Sequence, residues 1–446
     1  MRINLPQPNA FVKIFKEIVG CSLDLTITGI ATDSREVCSG DLYIAISGER
    51  VDGHTFLTDV FEKGATCALV NSKVKNIDGQ LIKVNDPIVT IGKVANAWRN
   101  QFDIPVIGIT GSNGKTSSKE LLNHILGAQY QVHVTAGNFN TSIGLPLTLL
   151  RLTGEDTISI LEMGANQPGD IAELCEIAQP THGLITNIAP AHLEGFGTIE
   201  AVAKTKGELF NSLEGGISFI NAADNRVNDL SVPGESISFG LTPECDFPAD
   251  IHHEKDGPIT LTVDTEEIPT HSVNFTFAKN VIACTAIART LGLNWDEIRE
   301  GVASFQPPKG RCEVKNKGSI TIIDDTYNAN LESTIAAIDY LKAFSGNGQR
   351  IFVFGDMFEL GALSQDQHRR VGEKCNEAEL SAVFTVGDET VATDAVITQT
   401  KVHAHFDNKV DLLTSLKSIL NNDDKILVKG SRGMEMETIV EAMLEA

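Results

Sequence analysis

The chain has 446 residues, enough for about three domains at a soft unit of ~150 residues each. Its 42% hydrophobic and 21% charged content excludes wholesale disorder and points to buried cores. A formal net charge of −23 excludes a broad nucleic-acid surface, which needs clustered Lys and Arg, but not a small anion held by one lysine and a few backbone N–H groups.

At the N-terminus Lys13, Lys16 and Glu17 stand where a secretory signal needs an unbroken apolar stretch. No run of 18 apolar residues exists; the segment 129–150 lacks Asp, Glu, Lys and Arg, but its Asn, Gln and Thr content is incompatible with a membrane span. The eight cysteines are scattered, with no pair spaced for a zinc knuckle or a disulfide frame, so reduced and mostly buried thiols are expected. A soluble, cytoplasmic protein is the expectation.

Residues 1–100 hold short strand-like runs separated by turn residues, such as 41–46 before Ser47-Gly48. From 101 the pattern becomes strand (104–110), glycine loop (111–114) and helix (115–127), with buried-strand patterns again at 157–161 and 183–186. Such alternation implies a mostly parallel sheet covered by helices. A boundary is expected at Gln306-Pro307-Pro308-Lys309-Gly310, where two prolines follow a helical stretch. Strands are then expected at 319–323, 350–354, 382–386 and 425–428, and a last helix at 433–444. The domains divide as 1–100, 101–308 and 309–446.

The sharpest local signal is Gly111-Ser112-Asn113-Gly114-Lys115-Thr116, after a strand and before a helix. Glycines let backbone N–H groups close around phosphate oxygens, and the helix N-terminus adds positive partial charge. Lys115 would reach the terminal phosphates and the Thr116 hydroxyl would ligate Mg²⁺. The first glycine of the full phosphate-loop pattern is replaced by Ile109, so this is a shortened variant; a plain strand-to-helix turn is the bland alternative. Glu162, after an apolar run, sits at the C-terminal sheet edge where such sites take a carboxylate. His192, taken alone, reads more readily as a solvated loop residue, and Lys206 as an exposed helix lysine. Asn408-Lys409-Val410-Asp411 fits a guanine-recognition pattern but lies far past the loop, in another domain, and reads as a chance match.

Together these pieces resemble the Mur ligases of bacterial cell-wall precursor synthesis. The resemblance runs in order along nearly the whole chain: Asp33-Ser34-Arg35, Gly40-Asp41-Leu42 and Asp52-Gly53-His54; the phosphate loop; Asn138-Phe139-Asn140-Thr141; Glu162-Met163-Gly164; His192-Leu193-Glu194. In the last third it continues through Gly310-Arg311-Cys312-Glu313, Asp324-Asp325-Thr326-Tyr327-Asn328-Ala329-Asn330, Gly355-Asp356-Met357 and Lys429-Gly430-Ser431-Arg432. It implies an α/β fold in three domains, a central P-loop-type parallel sheet flanked by a small N-terminal α/β domain and a Rossmann-like C-terminal domain.

The resemblance also implies roles. Gly111, Ser112, Asn113, Gly114, Lys115 and Thr116 would cradle ATP, with Asn280 at adenine and Arg311 and Asp325 reaching the nucleotide from the third domain. Thr116, Glu162 and His192 would ligate Mg²⁺, and Lys206 matches a lysine that the family carbamylates to bridge a second Mg²⁺. Lys115, Lys206, His192 and Asn138 would be catalytic. Ser34 and Arg35 would hold the uridine nucleotide, and Asn140, Thr141, Tyr327, Asn328, Lys429 and Arg432 the acceptor and the incoming dipeptide. Phe277-Ala278-Lys279-Asn280 stands where the family usually has Gly-x-His-Asn, and Ala283 where a second Asn is usual. The Asp324–Asn330 signature points to the branch that joins D-alanyl-D-alanine to a UDP-N-acetylmuramoyl-tripeptide, in a monomeric enzyme using ATP and Mg²⁺. A sibling ligase adding another amino acid, or a folylpolyglutamate synthetase, is the alternative within the resemblance; a phosphate-loop switch with slow hydrolysis is the alternative outside it.

Overall fold

The computed structural model describes all residues except 23–25, 49–50, 72–73, 75–76, 191–192, 255–256 and 446. Among the described residues the strands form three sheets, met in chain order. The first holds β1 (Arg2–Asn4), β2 (Gly29–Ala31), β3 (Asp41–Ile44), β4 (Cys67–Asn71) and β5 (Leu81–Val84), in spatial order 1-2-3-4-5. Only β1 runs antiparallel to its neighbour. The Asp41 carboxylate, fully buried, is matched by the Arg2 guanidinium at 2.7 and 3.0 Å and by the Cys38 N–H at 2.9 Å. Paired in this way, a charge can start a buried strand.

The second sheet holds β6 (Val106–Thr110), β7 (Val132–Val134), β8 (Ile158–Glu162), β9 (His182–Ile185), β10 (Ile217–Asn221) and β11 (Glu235–Gly240), followed by β12 (Phe247–His253), β13 (Ile259–Val263) and β14 (Glu266–Pro269). The spatial order is 14-13-12-11-10-9-6-8-7, parallel from β7 to β12 and antiparallel at β13 and β14. Helices cover both faces of the parallel part, so β6 and β8 are buried at every residue. The chain leaves β6 towards β8 and returns on its other side at β9, which makes the C-terminal end of β6 a topological switch point where ligands bind. The meander β12–β14 has no counterpart in the sequence reading.

The third sheet holds β15 (Glu313–Lys317), β16 (Ile320–Asp325), β17 (Arg350–Gly355), β18 (Ala382–Val386), β19 (Val402–Phe406) and β20 (Lys425–Lys429), in order 15-16-20-17-18-19 with β15 antiparallel. The expected final helix at 433–444 is instead a 3-10 turn (Arg432–Met434), a left-handed Glu435 at φ 49°, and an α-helix over Glu437–Glu445. The break lets Met436, fully buried, pack against Gly355 and Gly430, where a Cβ would meet its side chain at 2.8 and 2.7 Å. Asn408, from the guanine-like tetrad, is an ordinary helix N-cap: its Oδ1 accepts the Asp411 N–H at 3.0 Å and its Nδ2 donates to the Asp411 carboxylate at 2.9 Å.

No disulfide joins any of the eight cysteines, and five of them are buried. Among the described residues no helix is long and apolar enough to cross a membrane. One core cluster runs from the first sheet into the second and includes Phe15, Leu69, Trp98, Leu149, Leu152 and Leu174. Trp98 lies on the helix Pro87–Arg99, is 2% exposed, and donates its indole N–H to the Leu152 carbonyl at 3.1 Å. Truncation there should open a cavity and orphan a buried carbonyl, costing about 3–5 kcal/mol. Trp98→Ala measured by denaturant unfolding should show that loss; a change below about 1 kcal/mol would mean that the two layers are held together elsewhere.

Candidate functional site

The phosphate loop leaves β6 with Gly111 at φ 149° and enters the helix Lys115–Leu126 through Gly114 at φ 81°. Neither position tolerates a side chain: a Cβ would meet Thr186 Oγ1 at 1.9 Å at Gly111 and Asn280 Oδ1 at 3.0 Å at Gly114. The loop is held from behind by the segment after β9. The Ser112 and Asn113 N–H groups donate to the Asn187 carbonyl and side-chain oxygen at 2.9 and 2.8 Å, and Thr186 Oγ1 donates to the Asn113 carbonyl at 2.6 Å. The first-turn N–H groups of the helix remain for an anion, because no preceding helical carbonyl can take them.

Lys115 Nζ donates to the Gly111 carbonyl at 2.7 Å; burial lowers its pKa, opposed by the Glu162 carboxylate. Glu162 ends β8, 3% exposed. Its Oε2 accepts the Thr116 hydroxyl at 2.8 Å and its Oε1 accepts Asn140 Nδ2 at 2.8 Å. These groups face a cavity of about 1020 Å³, also lined by Asn138, Thr141, Asn280, Arg311, Asp325, Tyr327, Asn328 and Lys429. The cavity thus joins the second and third sheets, and Asn330 Nδ2 donates across that junction to Asn113 Oδ1 at 2.7 Å. On the far wall Lys429 Nζ pairs with Asp325 Oδ2 at 2.6 Å and donates to the Asn328 carbonyl at 2.9 Å. The Arg311 guanidinium lies 3.9 Å from the Tyr327 ring centroid, with Arg432 at 5.8 Å on the same ring, a geometry that orients cations without neutralising them.

Other expected residues sit elsewhere. Gly111, the first residue of the loop, does not line the cavity. Lys206, which composition alone made an exposed helix lysine, is 2% exposed on the helix Ile199–Asn211. Its position on the inward face among Val202, Leu209 and Phe210 explains the difference, and burial, aided by the Lys115 charge, lowers its pKa far below the usual lysine value. Ser34 and Arg35 belong to the first sheet's domain and do not line the cavity. Arg35 is exposed and forked onto Asp33 at 2.6 Å, holding that carboxyl well below its usual range, while Lys63 Nζ donates to the Ser34 carbonyl at 2.6 Å. Arg432 pairs with Glu437 at 3.0 Å. His192 lies outside the described residues.

Sequence reasoning passed over Thr186 and Asn187, which hold the phosphate loop, and Lys119, whose Nζ donates to the Thr135 carbonyl. The available signal was weak: two polar residues ending an apolar strand, and a lysine on the apolar face of the Lys115–Leu126 helix.

Among the described residues no three His, Cys, Asp or Glu side chains converge as a metal nest. The hard oxygens of Thr116 and Glu162, 2.8 Å apart beside the loop, nevertheless suit Mg²⁺, which takes few protein ligands and completes its shell with phosphate oxygens and water. Gly111→Ala should push the loop off Thr186. We expect at least a tenfold loss of nucleotide affinity, about 1.4 kcal/mol, by titration calorimetry with an ATP analogue, with the far-UV spectrum unchanged. Wild-type affinity would show that the loop's conformation is not needed to hold the nucleotide.

Comparison with known proteins agrees along the length of the chain. Residues 26–101, 109–288 and 310–432 match three family models, described as Mur ligase family, catalytic domain; Mur ligase middle domain; and Mur ligase, glutamate ligase domain. A UDP-N-acetylmuramoyl-tripeptide–D-alanyl-D-alanine ligase of Escherichia coli is 37% identical over 437 residues, 95% of each chain, and the Bacillus subtilis protein of that name is 33% identical over 433 residues, 94% of each. The structure of MurF from Acinetobacter baumannii superposes with a TM-score of 0.88 at 28% identity, covering 97% of this chain and 98% of that one. MurF ligase from Thermotoga maritima, solved in complex with ADP, superposes at 0.82 with 31% identity, covering 93% and 96%. With three family models matched in order and curated relatives above 30% identity across nearly its whole length, the chain belongs to the Mur ligase family.

Proposed function

We propose that this ATP-dependent ligase joins the terminal carboxylate of UDP-N-acetylmuramoyl-tripeptide to the amine of D-alanyl-D-alanine, in the cytoplasm, as a step of peptidoglycan precursor synthesis. One observation carries the reading: the Lys115–Thr116–Glu162 cluster and the Asp325–Tyr327–Asn328–Lys429 cluster face each other across a single cavity. Full-length similarity to proteins named for this reaction favours it over sibling ligases and folylpolyglutamate synthetase. The domains are read as 1–100 for the uridine nucleotide, 101–308 for ATP and 309–446 for the incoming dipeptide.

A carboxylate resists amines because its oxygen leaves poorly and its charge repels attack. Transfer of the γ-phosphoryl group gives an acyl phosphate; the amine attacks its carbonyl carbon, and the tetrahedral intermediate collapses with release of inorganic phosphate. The chain's contribution is position and charge. The first-turn amides of the Lys115–Leu126 helix and the Lys115 side chain hold the β- and γ-phosphates. Asn138 and Asn140 would hold the acceptor carboxylate against the γ-phosphate, and Asn280, which lies beside Gly114, would meet the base. Arg311 and Asp325 close on the nucleotide from the third domain, while Tyr327, Asn328, Lys429 and Arg432 orient the dipeptide. Ser34 and Arg35 hold the distant uridine end, with Thr141 near the muramoyl peptide. Thr116, Glu162 and His192 would hold Mg²⁺, which would supply charge neutralisation at the phosphate oxygens.

Lys206 fits the carbamylated lysine of the family on a physical ground. Only a neutral amine adds CO₂, and burial keeps this amine neutral at pH values where an exposed lysine, with its pKa near 10.4, is charged. With ¹³C-bicarbonate at about pH 8 a carbamate carbon resonance should appear, fade as the pH falls through the depressed pKa, and be lost in Lys206→Arg. Its absence from the wild type would remove Lys206 from the metal set.

Phosphate release gives the direct test. Turnover should require both the nucleotide tripeptide and D-alanyl-D-alanine, with amide product stoichiometric with phosphate; release independent of peptide would favour a nucleotide switch. Lys115→Ala should lower nucleotide affinity or turnover at least tenfold, since a charge-assisted hydrogen bond contributes ~1.5–3 kcal/mol.

A further inference from the structure

Lys119 lies one turn beyond Lys115 on the Lys115–Leu126 helix, and its side chain is fully buried. Burying an ammonium is costly unless its donors are used, and an apolar residue would fill the same volume without that cost. Its Nζ donates to the Thr135 carbonyl at 2.7 Å, pairs with Glu120 Oε1 at 2.8 Å, and stands 3.9 Å from Glu162 Oε2.

Thr135 is the point where β7 ends and the loop carrying Asn138 and Asn140 begins. That residue is pinned three ways: its carbonyl by Lys119, its N–H by the Ile160 carbonyl at 3.1 Å, and its Oγ1 by the Glu162 N–H at 3.0 Å. The far end of the loop is tied to the same strand end, since Gly164 N–H donates to the Asn140 carbonyl at 2.8 Å and Asn140 Nδ2 to Glu162 Oε1 at 2.8 Å. The helix that begins at the phosphate loop is thereby joined through the Lys119 ammonium to the start of the 135–141 loop, as it is joined to Glu162 through the Thr116 hydroxyl.

We infer that Lys119 is a positioning residue for the ligation reaction: it fixes the 135–141 loop and Glu162 against the phosphate loop, so that phosphoryl donor and acceptor are held in register. This rests on the ligation reading above. A misplaced acceptor slows transfer without loosening nucleotide binding, because the helix's first-turn amides and Lys115 are untouched.

The test compares Lys119→Met, of similar volume but without donors, with Lys119→Gln, which keeps an N–H for the Thr135 carbonyl. We expect Lys119→Met to lose at least about tenfold in kcat while its affinity for a non-hydrolysable ATP analogue stays within about threefold. Hydrogen exchange should accelerate at residues 135–141 and 162–164 and not over the rest of the second sheet. Lys119→Gln should fall between Met and wild type in both readouts. Wild-type kcat and loop protection in the Met variant would overturn the inference; so would faster exchange spread evenly over the domain, the sign of a merely structural lysine. If the Met variant does not fold, the same readouts on the Gln variant decide by the same criteria. Should the wild type form no amide product, the ligation reading fails, and the exchange comparison still decides whether Lys119 holds the loop.

Discussion

The architecture turns on six residues between a buried strand and a helix, and on what holds them open. Gly111 and Gly114 take left-handed conformations with no room for a Cβ, and Thr186 and Asn187 clamp the loop from the neighbouring strand end. Because that clamp uses the Ser112 and Asn113 amides, the N–H groups of the helix's first turn are the ones left to meet phosphate. Everything else in the site is placed relative to this turn: Glu162 through Thr116, the 135–141 loop through Lys119, and the third domain through the Asn330–Asn113 bond.

What could be read from the chain alone was what is contiguous. The phosphate loop is six adjacent residues with a fixed mechanism, and the strands around it are near-continuous apolar runs because both faces are covered. β6, β8, β9, β17, β18 and β20 accordingly fall within a residue or two of their expected bounds. Groups that act through distance were not legible. Lys119 looks like any helix lysine until β7 is seen beside it, and Lys206 looks exposed until its helix face is known. The break at Glu435 depends on Met436 finding Gly355 and Gly430, contacts that come from two other stretches of chain. The Asn408 tetrad shows the reverse error, a pattern whose residues do no more than start a helix. Family resemblance supplied Arg311, Asp325 and Tyr327, which periodicity would never have promoted, and these line the cavity with the phosphate loop.

The division of labour between sheets has a chemical logic. An acyl phosphate must meet an amine before it meets water, so donor and acceptor groups are best carried by separate bodies that close on the reaction. Here the phosphate loop is carried by the second sheet and the Asp325–Tyr327–Asn328 segment by the third, with Lys429 paired to Asp325 where the two face each other. The Thr116–Glu162 oxygen pair faces the shared cavity, and the Lys206 amine is buried on the helix Ile199–Asn211.

A crystal structure of the chain with an ATP analogue and its acceptor nucleotide tests the central claim most directly. The account predicts the β- and γ-phosphates against the first-turn amides of the Lys115–Leu126 helix, with Lys115 Nζ moved from the Gly111 carbonyl onto a phosphate oxygen. A triphosphate bound elsewhere, with that turn empty, would contradict it.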